Sequence, residues 1–163
     1  MIKELIPEEI CLACQGCCRF KEKEDAWCVW LLDTDIQELL KNNIPPSLIS
    51  GAKKLRLKEH KGENNFICPF LNTPDNKCKI YSFRPFECRL YPFLLQRANN
   101  KVFLGIDLKC PFVKANLKSQ GFKEHTQYLT GLLNTSTWLN ILRNNLGVIQ
   151  AYEGILVLAE LKV

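Results

Sequence analysis

The apolar positions of this chain change period three times. In LLDTDIQELLKNN, residues 31–43, Ile36, Leu39 and Leu40 form a one-sided stripe that ends before Pro45, the spacing of an amphipathic helix. Thr34 and Gln37 stand at capping-box separation, which predicts the helix start at that point. KLRLKEHKGENNFICPFL, residues 54–71, alternates and then turns at Lys61-Gly62-Glu63-Asn64, a short hairpin pattern. PFLLQRANNKVFLGID, residues 92–107, predicts a second hairpin, with Ala98–Lys101 turning between two apolar runs. Between them Pro85 suits the first turn of a short helix that stops ahead of Pro92. From Phe122 the period becomes helical, through Leu129, Leu132, Leu133, Leu139 and Leu142. Gly147 then separates this helix from a last one carrying Ile155, Leu158 and Leu161.

These elements predict an α+β fold in a single domain, 1–163. A turn-rich region with short β-hairpins spans about 11–111, and residues 112–163 form C-terminal helices that support it. At 47% apolar and 24% charged residues, the composition is that of a globular chain long enough to bury a core, so disorder is not expected. The start, MIKELIPEEI, is broken by acids and a proline and does not resemble a secretory signal. No long uncharged apolar run suggests a membrane span; the apolar tail is interrupted by Gln150, Glu153 and Glu160. A cytoplasmic location follows as the expectation, and there crowded thiols serve as metal ligands or redox groups rather than disulfides. The odd count of nine cysteines agrees. The formal charge of +5 is weak evidence for a nucleic-acid partner, because it counts every thiol as neutral. Two four-thiolate sites, each holding a dication, would each contribute about −2 and bring the chain near neutrality.

The chemistry is concentrated in CLACQGCC, residues 11–18, which holds Cys11, Cys14, Cys17 and Cys18. A C-x2-C pair lets one backbone turn offer two sulfurs to one centre, and zinc and iron–sulfur sites both use it. The triplet C-x2-C-x2-C is harder for a single tetrahedral ion to accept, whereas an iron–sulfur cubane spreads its attachment points over several irons. Cys68-Pro69 and Cys110-Pro111 offer the remote Cys-Pro that completes such a run. Adjacent side chains tend to diverge, so Cys17 and Cys18 are expected to face different centres, or Cys18 to bridge. With Cys68, Cys78, Cys88 and Cys110 there are eight candidate ligands, enough for two four-thiolate sites. Cys28, between tryptophans in WCVWLL, suits a buried small apolar residue instead.

CLACQGCC, followed by CPFLNTPDNKCKIYSFRPFECRLYPF at 68–93 and CP at 110–111, resembles the CxxCxxCC or YkgJ-like cysteine-cluster family. Its members are described as zinc- or iron-chelating proteins, often labelled iron–sulfur-cluster-containing. The block from Cys78 through Phe93 carries the resemblance most specifically, although Gln15 precedes Gly16 where the pattern places glycine directly after the second cysteine. The resemblance implies eight metal ligands: Cys11, Cys14, Cys17, Cys18, Cys68, Cys78, Cys88 and Cys110. Flagellin lysine methylases carry a similar motif and are associated with a four-iron cluster and methyl transfer, which tilts the expected cofactor toward 4Fe-4S, with zinc as the alternative. A separate methyltransferase domain has no evident room here.

Arg84 and Arg89 flank Cys88, and their guanidinium groups could hydrogen-bond a cofactor's sulfurs and offset thiolate charge, or Arg84 could anchor a turn to backbone carbonyls. Tyr81 and Tyr91 suit packing around the site. His60 fits a solvated turn and His125 a helical segment. Glu87 and Asp107, the acids nearest the cysteines, have no evident acid–base partner, and no catalytic constellation emerges. The expected function is metal binding through one or two iron–sulfur clusters, with a redox or cluster-dependent transfer role and a redox or protein partner. A zinc module that binds protein or nucleic acid, and a metal-handling carrier, are the alternatives.

Overall fold

The computed structural model describes residues 2–14, 16–24, 26–61 and 65–163. The chain forms two compact units, Pro7–Cys88 and Met1–Ile6 with Arg89–Val163. Helices and small antiparallel sheets together make it an α+β protein, as expected.

The Pro7–Cys88 unit begins with helix α1 (Glu8–Ala13), whose N-cap is Pro7 and whose first turn carries Glu8 and Glu9 against the helix dipole. Strand β1 (Arg19–Phe20) follows the cysteine run, and helix α2 spans Asp33–Lys41. This helix starts earlier than Thr34. Asp35 takes the capping role, its carboxylate accepting the Leu32 N–H at 2.9 Å, and Leu32 is the N-cap. Its buried side presents Asp35 and Leu39, while Leu40 is exposed rather than part of the inward stripe. Asn43, at φ 59°, ends the helix ahead of Pro45.

The expected hairpin is present as β2 (Lys58–Glu59) against β3 (Phe66–Ile67), although Gly62, Glu63 and Asn64 at its tip lie outside the described residues. Strand β3 is the middle strand of three, because β1 pairs on its other side with Arg19 opposite Ile67. A further hairpin, β4 (Leu71–Asn72) with β5 (Lys77–Cys78), sets Leu71 opposite Cys78. Its turn is tied by Asp75, whose carboxylate accepts from the Asn72 amide at 2.7 Å and the Lys77 N–H at 3.0 Å, and Asn76 adopts the left-handed φ of 57°. The signal for this turn, Thr-Pro-Asp-Asn, was in the sequence. Phe20, Leu31, Leu39, Leu55, Ile67, Phe70, Leu71 and Ile80 form the core of this unit. The short helix α3 (Phe86–Leu90) follows Pro85 and stops before Pro92, as expected, and the chain passes from one unit to the other within it.

In the other unit β6 (Phe93–Ala98) and β7 (Lys101–Asp107) form the second expected hairpin. Asn99 and Asn100 both have positive φ, 49° and 59°, the two-residue turn whose twist matches its strands. Helices α4 (Pro111–Asn116), α5 (Gln120–Leu133) and α6 (Ser136–Asn144) follow. The single helix expected from Phe122 to Leu142 is thus two, because Thr135 starts a new one, its hydroxyl accepting the Trp138 N–H. The expected last helix is instead a strand, β8 (Ile155–Leu161), which adds to the free side of β7. A short apolar run satisfies either period, and pairing with β7 decides it. Phe93, Leu95, Leu104, Ile106, Val113, Leu129, Leu133 and Leu142 are buried in this unit, each contributing about 1.5–3 kcal/mol through apolar burial.

His125 is buried here with Phe93 on one side, ring centroids 5.5 Å apart, and Tyr128 on the other at 5.6 Å. Burial, and secondarily the Lys3 charge, hold its imidazole below the ordinary histidine range. Unfolding therefore takes up a proton, so this contribution is full above the unfolded pKa of about 6.5 and is lost as pH falls through it. Urea midpoints of the wild type are expected to drop between about pH 7.5 and about pH 5 more than those of His125→Phe. Parallel curves for the two proteins would remove this histidine from the pH dependence.

Candidate metal centre

Seven of the eight candidate cysteines belong to the Pro7–Cys88 unit, and five local structures carry them there. Cys11 lies in α1 and Cys14 is its C-cap, so the C-x2-C spacing places both on one side of a helical turn. The Cys14 N–H closes that turn on the Cys11 carbonyl at 3.2 Å. The Cys14 sulfur lies over Gly16, where an added Cβ would stand 3.6 Å away. Gln15 lies outside the described residues. Cys17 and Cys18 occupy the turn before β1, and Cys68 follows β3 as the continuation of the same register, its N–H donating to the Cys18 carbonyl at 3.0 Å. Cys78 ends β5, and Cys88 sits in α3. Cys68 is part of the hydrophobic core, with Cys18 and Cys78 packed against it.

The sulfurs interact with one another. Cys17 is raised well above the ordinary thiol range, first by its interaction with the neighbouring Cys18 thiol and then by desolvation, although the residue as a whole is exposed. Cys17 lowers Cys18, but the influence of the Cys68 thiol, followed by burial, leaves Cys18 raised. Cys17 and Cys18 occupy a turn rather than extended backbone, and Cys18 lies between the influence of Cys17 on one side and of Cys68 and Cys78 on the other, a placement compatible with the bridging role considered for it. Burial, and then Cys17, push Cys11 up to about 11. Burial also raises Cys78, with contributions from Cys17 and Cys11, and raises Cys88 strongly, with contributions from Cys18, Cys17 and Cys78. Without a cation these are neutral thiols, and a metal that binds them must displace their protons.

Arg84 is the counter-charge. It is buried, its guanidinium lies 3.6 Å from the Tyr81 ring centroid, and its Nη1 donates to the Tyr81 carbonyl at 3.1 Å. It anchors the 3-10 turn Tyr81–Phe83 to the backbone, one of the two roles expected of it, and its charge favours the thiolate forms of Cys11, Cys17 and Cys78. The Tyr81 hydroxyl also favours the Cys11 thiolate. Two carboxylates, Asp35 buried and Glu87 half-buried, brace this segment, which spacing alone does not reveal. Asp35 accepts the Phe86 N–H at 2.9 Å, and Glu87 accepts the Trp30 N–H at 2.6 Å.

The remaining expected site residues lie elsewhere. Cys110 and Arg89 belong to the other unit. Cys110 is buried as the N-cap of α4 ahead of Pro111, and Arg89 stands in the last turn of α3. Tyr91 and Asp107 are joined there by a hydrogen bond from the Tyr91 hydroxyl at 3.0 Å. Cys28 is buried in the Pro7–Cys88 unit, donating to the Leu55 carbonyl at 3.0 Å, a structural thiol as expected.

Among the described residues, no three Cys, His, Asp or Glu side chains are arranged to hold one metal ion as they stand. The donor set nevertheless suits a soft metal in its chemistry. It offers several sulfurs within electrostatic reach of one another, a supporting hydrophobic core and a buried guanidinium to balance thiolate charge. No helix among the described residues is long and apolar enough to cross a membrane.

A family model described as "CxxCxxCC: putative zinc- or iron-chelating domain" matches residues 10–111. "Uncharacterized protein MJ0661" of Methanocaldococcus jannaschii is 34% identical over 101 residues, covering 60% of this chain and 52% of the relative, so the chain spans about half of that protein's length. No solved structure matches the chain significantly.

Proposed function

Because the chain belongs to the CxxCxxCC family of zinc- or iron-chelating domains, we propose that it binds metal through thiolates, in the form of an iron–sulfur cluster. The observation that carries this reading is the single connected set of thiols, running from Cys11 through Cys17, Cys18, Cys68, Cys78 and Cys88. Cys14 stands next to it as a further donor, which makes seven proposed ligands in the Pro7–Cys88 unit. One tetrahedral ion uses four sulfurs at most, whereas two clusters, or one large centre, use a spread set. The triplet Cys11, Cys14 and Cys17 at ferredoxin-like spacing favours iron over zinc.

When bound, the cluster supplies one-electron chemistry. The chain's own part is to provide thiolates, to place the Arg84 charge beside them and to keep the centre against an apolar core, the levers that set a cluster's potential. The proposed role is electron transfer, or a cluster-dependent transfer step carried out with a redox partner, in the reducing cytoplasm where free thiols persist.

Anaerobic purification followed by iron, acid-labile sulfide and zinc analysis tests this reading. The expected result is a coloured protein with broad visible absorption that bleaches on reduction, containing iron and sulfide together. A colourless protein with stoichiometric zinc would replace the cluster with a structural zinc module.

A further inference from the structure

The sheet β6–β7–β8 has one covered edge and one open edge. Along β6 the chain at Gln150 runs parallel to the strand: the Arg97 N–H donates to the Gln150 carbonyl at 2.8 Å, and the Gln150 N–H donates to the Leu95 carbonyl at 3.0 Å. On the opposite side β8 pairs with β7 alone among the described residues. Its register shifts opposite Leu104 and Gly105, and the consecutive residues Leu156 and Val157 are 40% and 47% exposed. They stand opposite Ile106 and Gly105, neighbours on β7, so their side chains leave the sheet on opposite faces. A body docked on one face would cover only one of them. A neighbouring strand flanks both.

The charges select the strand. Glu153 and Lys162 are exposed at the two ends of the apolar run Ile155–Leu161. An antiparallel copy of the same segment brings each Glu153 to the other copy's Lys162, so the edge complements itself in charge as well as in apolarity. Glu160, the acid inside the run, is already paired with Lys101 on β7 at 2.8 Å. The Lys162 backbone is held by the Asn134 side chain at 2.8 Å and by Arg143 at 3.2 Å, which fixes the end of the strand and leaves its exposed side chain for the contact. We infer that β8 is the interface of a two-fold homodimer, in which it pairs antiparallel with β8 of a second copy.

Light scattering across a concentration series on the full chain tests this. The wild type is expected to dimerise, and Val157→Lys to be monomeric while keeping the wild-type circular dichroism spectrum and melting temperature. Should Val157→Lys fold poorly, the end charges provide the second reading, since both are at the surface. Glu153→Lys and Lys162→Glu should each raise the dimer dissociation constant by about tenfold or more, since each introduces two like-charge contacts, and the double variant should restore it. A chain that is monomeric at every concentration overturns the inference. So does a dimer that folded Val157→Lys leaves intact, a double variant no tighter than the singles, or a monomer whose β8 pairs only with a strand of a different protein.

Discussion

Cys18→Ser is expected to strip the protein of most of its metal, by more than about tenfold, whereas Cys28→Ser keeps the full load. Cys18 is the crossing point of the thiol set. It lies within electrostatic reach of Cys17, Cys68, Cys78 and Cys88. Serine there keeps the size and a hydrogen bond but stays protonated at neutral pH and offers a hard oxygen, so the centre loses a soft anionic ligand at the position that links its parts. Metal binding and folding are coupled, so the melting temperature of the metal-loaded protein should fall with the metal content. Cys28 donates to the Leu55 carbonyl, a hydrogen bond that a serine hydroxyl can also give. Its replacement should cost on the order of 1 kcal/mol and no metal. Metal analysis of the two variants, purified side by side, decides the matter. Equal losses, or equal retention, would mean that the ligands lie elsewhere.

The sequence made the sulfur chemistry legible because its signals are local. A C-x2-C turn depends on three or four backbone residues, and Cys11 and Cys14 indeed share one helical turn. The Asn99-Asn100 hairpin was legible for the same reason, since two residues that tolerate positive φ between apolar runs specify the turn by themselves. What escaped depends on partners distant in the chain. Ile155–Leu161 is a strand because β7 offers a free edge, and nothing within ILVLAEL states that. The break between α5 and α6 was locally encoded in Asn134 and Thr135, but the apolar period ran across it and masked the cap. Arg84 was legible as a residue near the thiols; that Tyr81 would hold its guanidinium was not.

Asp35→Ala is expected to destabilise the Pro7–Cys88 unit by about 3–5 kcal/mol, one of the largest effects of any substitution outside the thiols. The Asp35 carboxylate is 5% exposed and ties two segments that lie far apart in sequence. One oxygen accepts the Leu32 N–H at the start of α2, and the other accepts the Phe86 N–H at the start of α3, both at 2.9 Å. Leu32 and Phe86 are themselves buried, so water cannot readily replace the lost acceptor, and two orphaned N–H groups cost about 1–3 kcal/mol each. Part of the loss is offset. Glu87 is held above the ordinary carboxylate range first by burial but also by the Asp35 charge, and removing that charge relieves it. Asp35→Asn keeps one acceptor and turns an NH2 toward the other donor, so it should fall between the wild type and alanine. Asp33→Ala is the control, because its ion pair with Lys53 at 2.6 Å is half in solvent and is worth at most about 1 kcal/mol. Since Phe86 stands two residues before Cys88, loosening it should also weaken metal retention near the melting temperature while leaving the load intact well below it. Denaturant titration of the three variants measures the first effect, and metal release on heating measures the second. An Asp35→Ala protein as stable as Asp33→Ala would show that the cysteine-bearing helix is held in place by something other than this carboxylate.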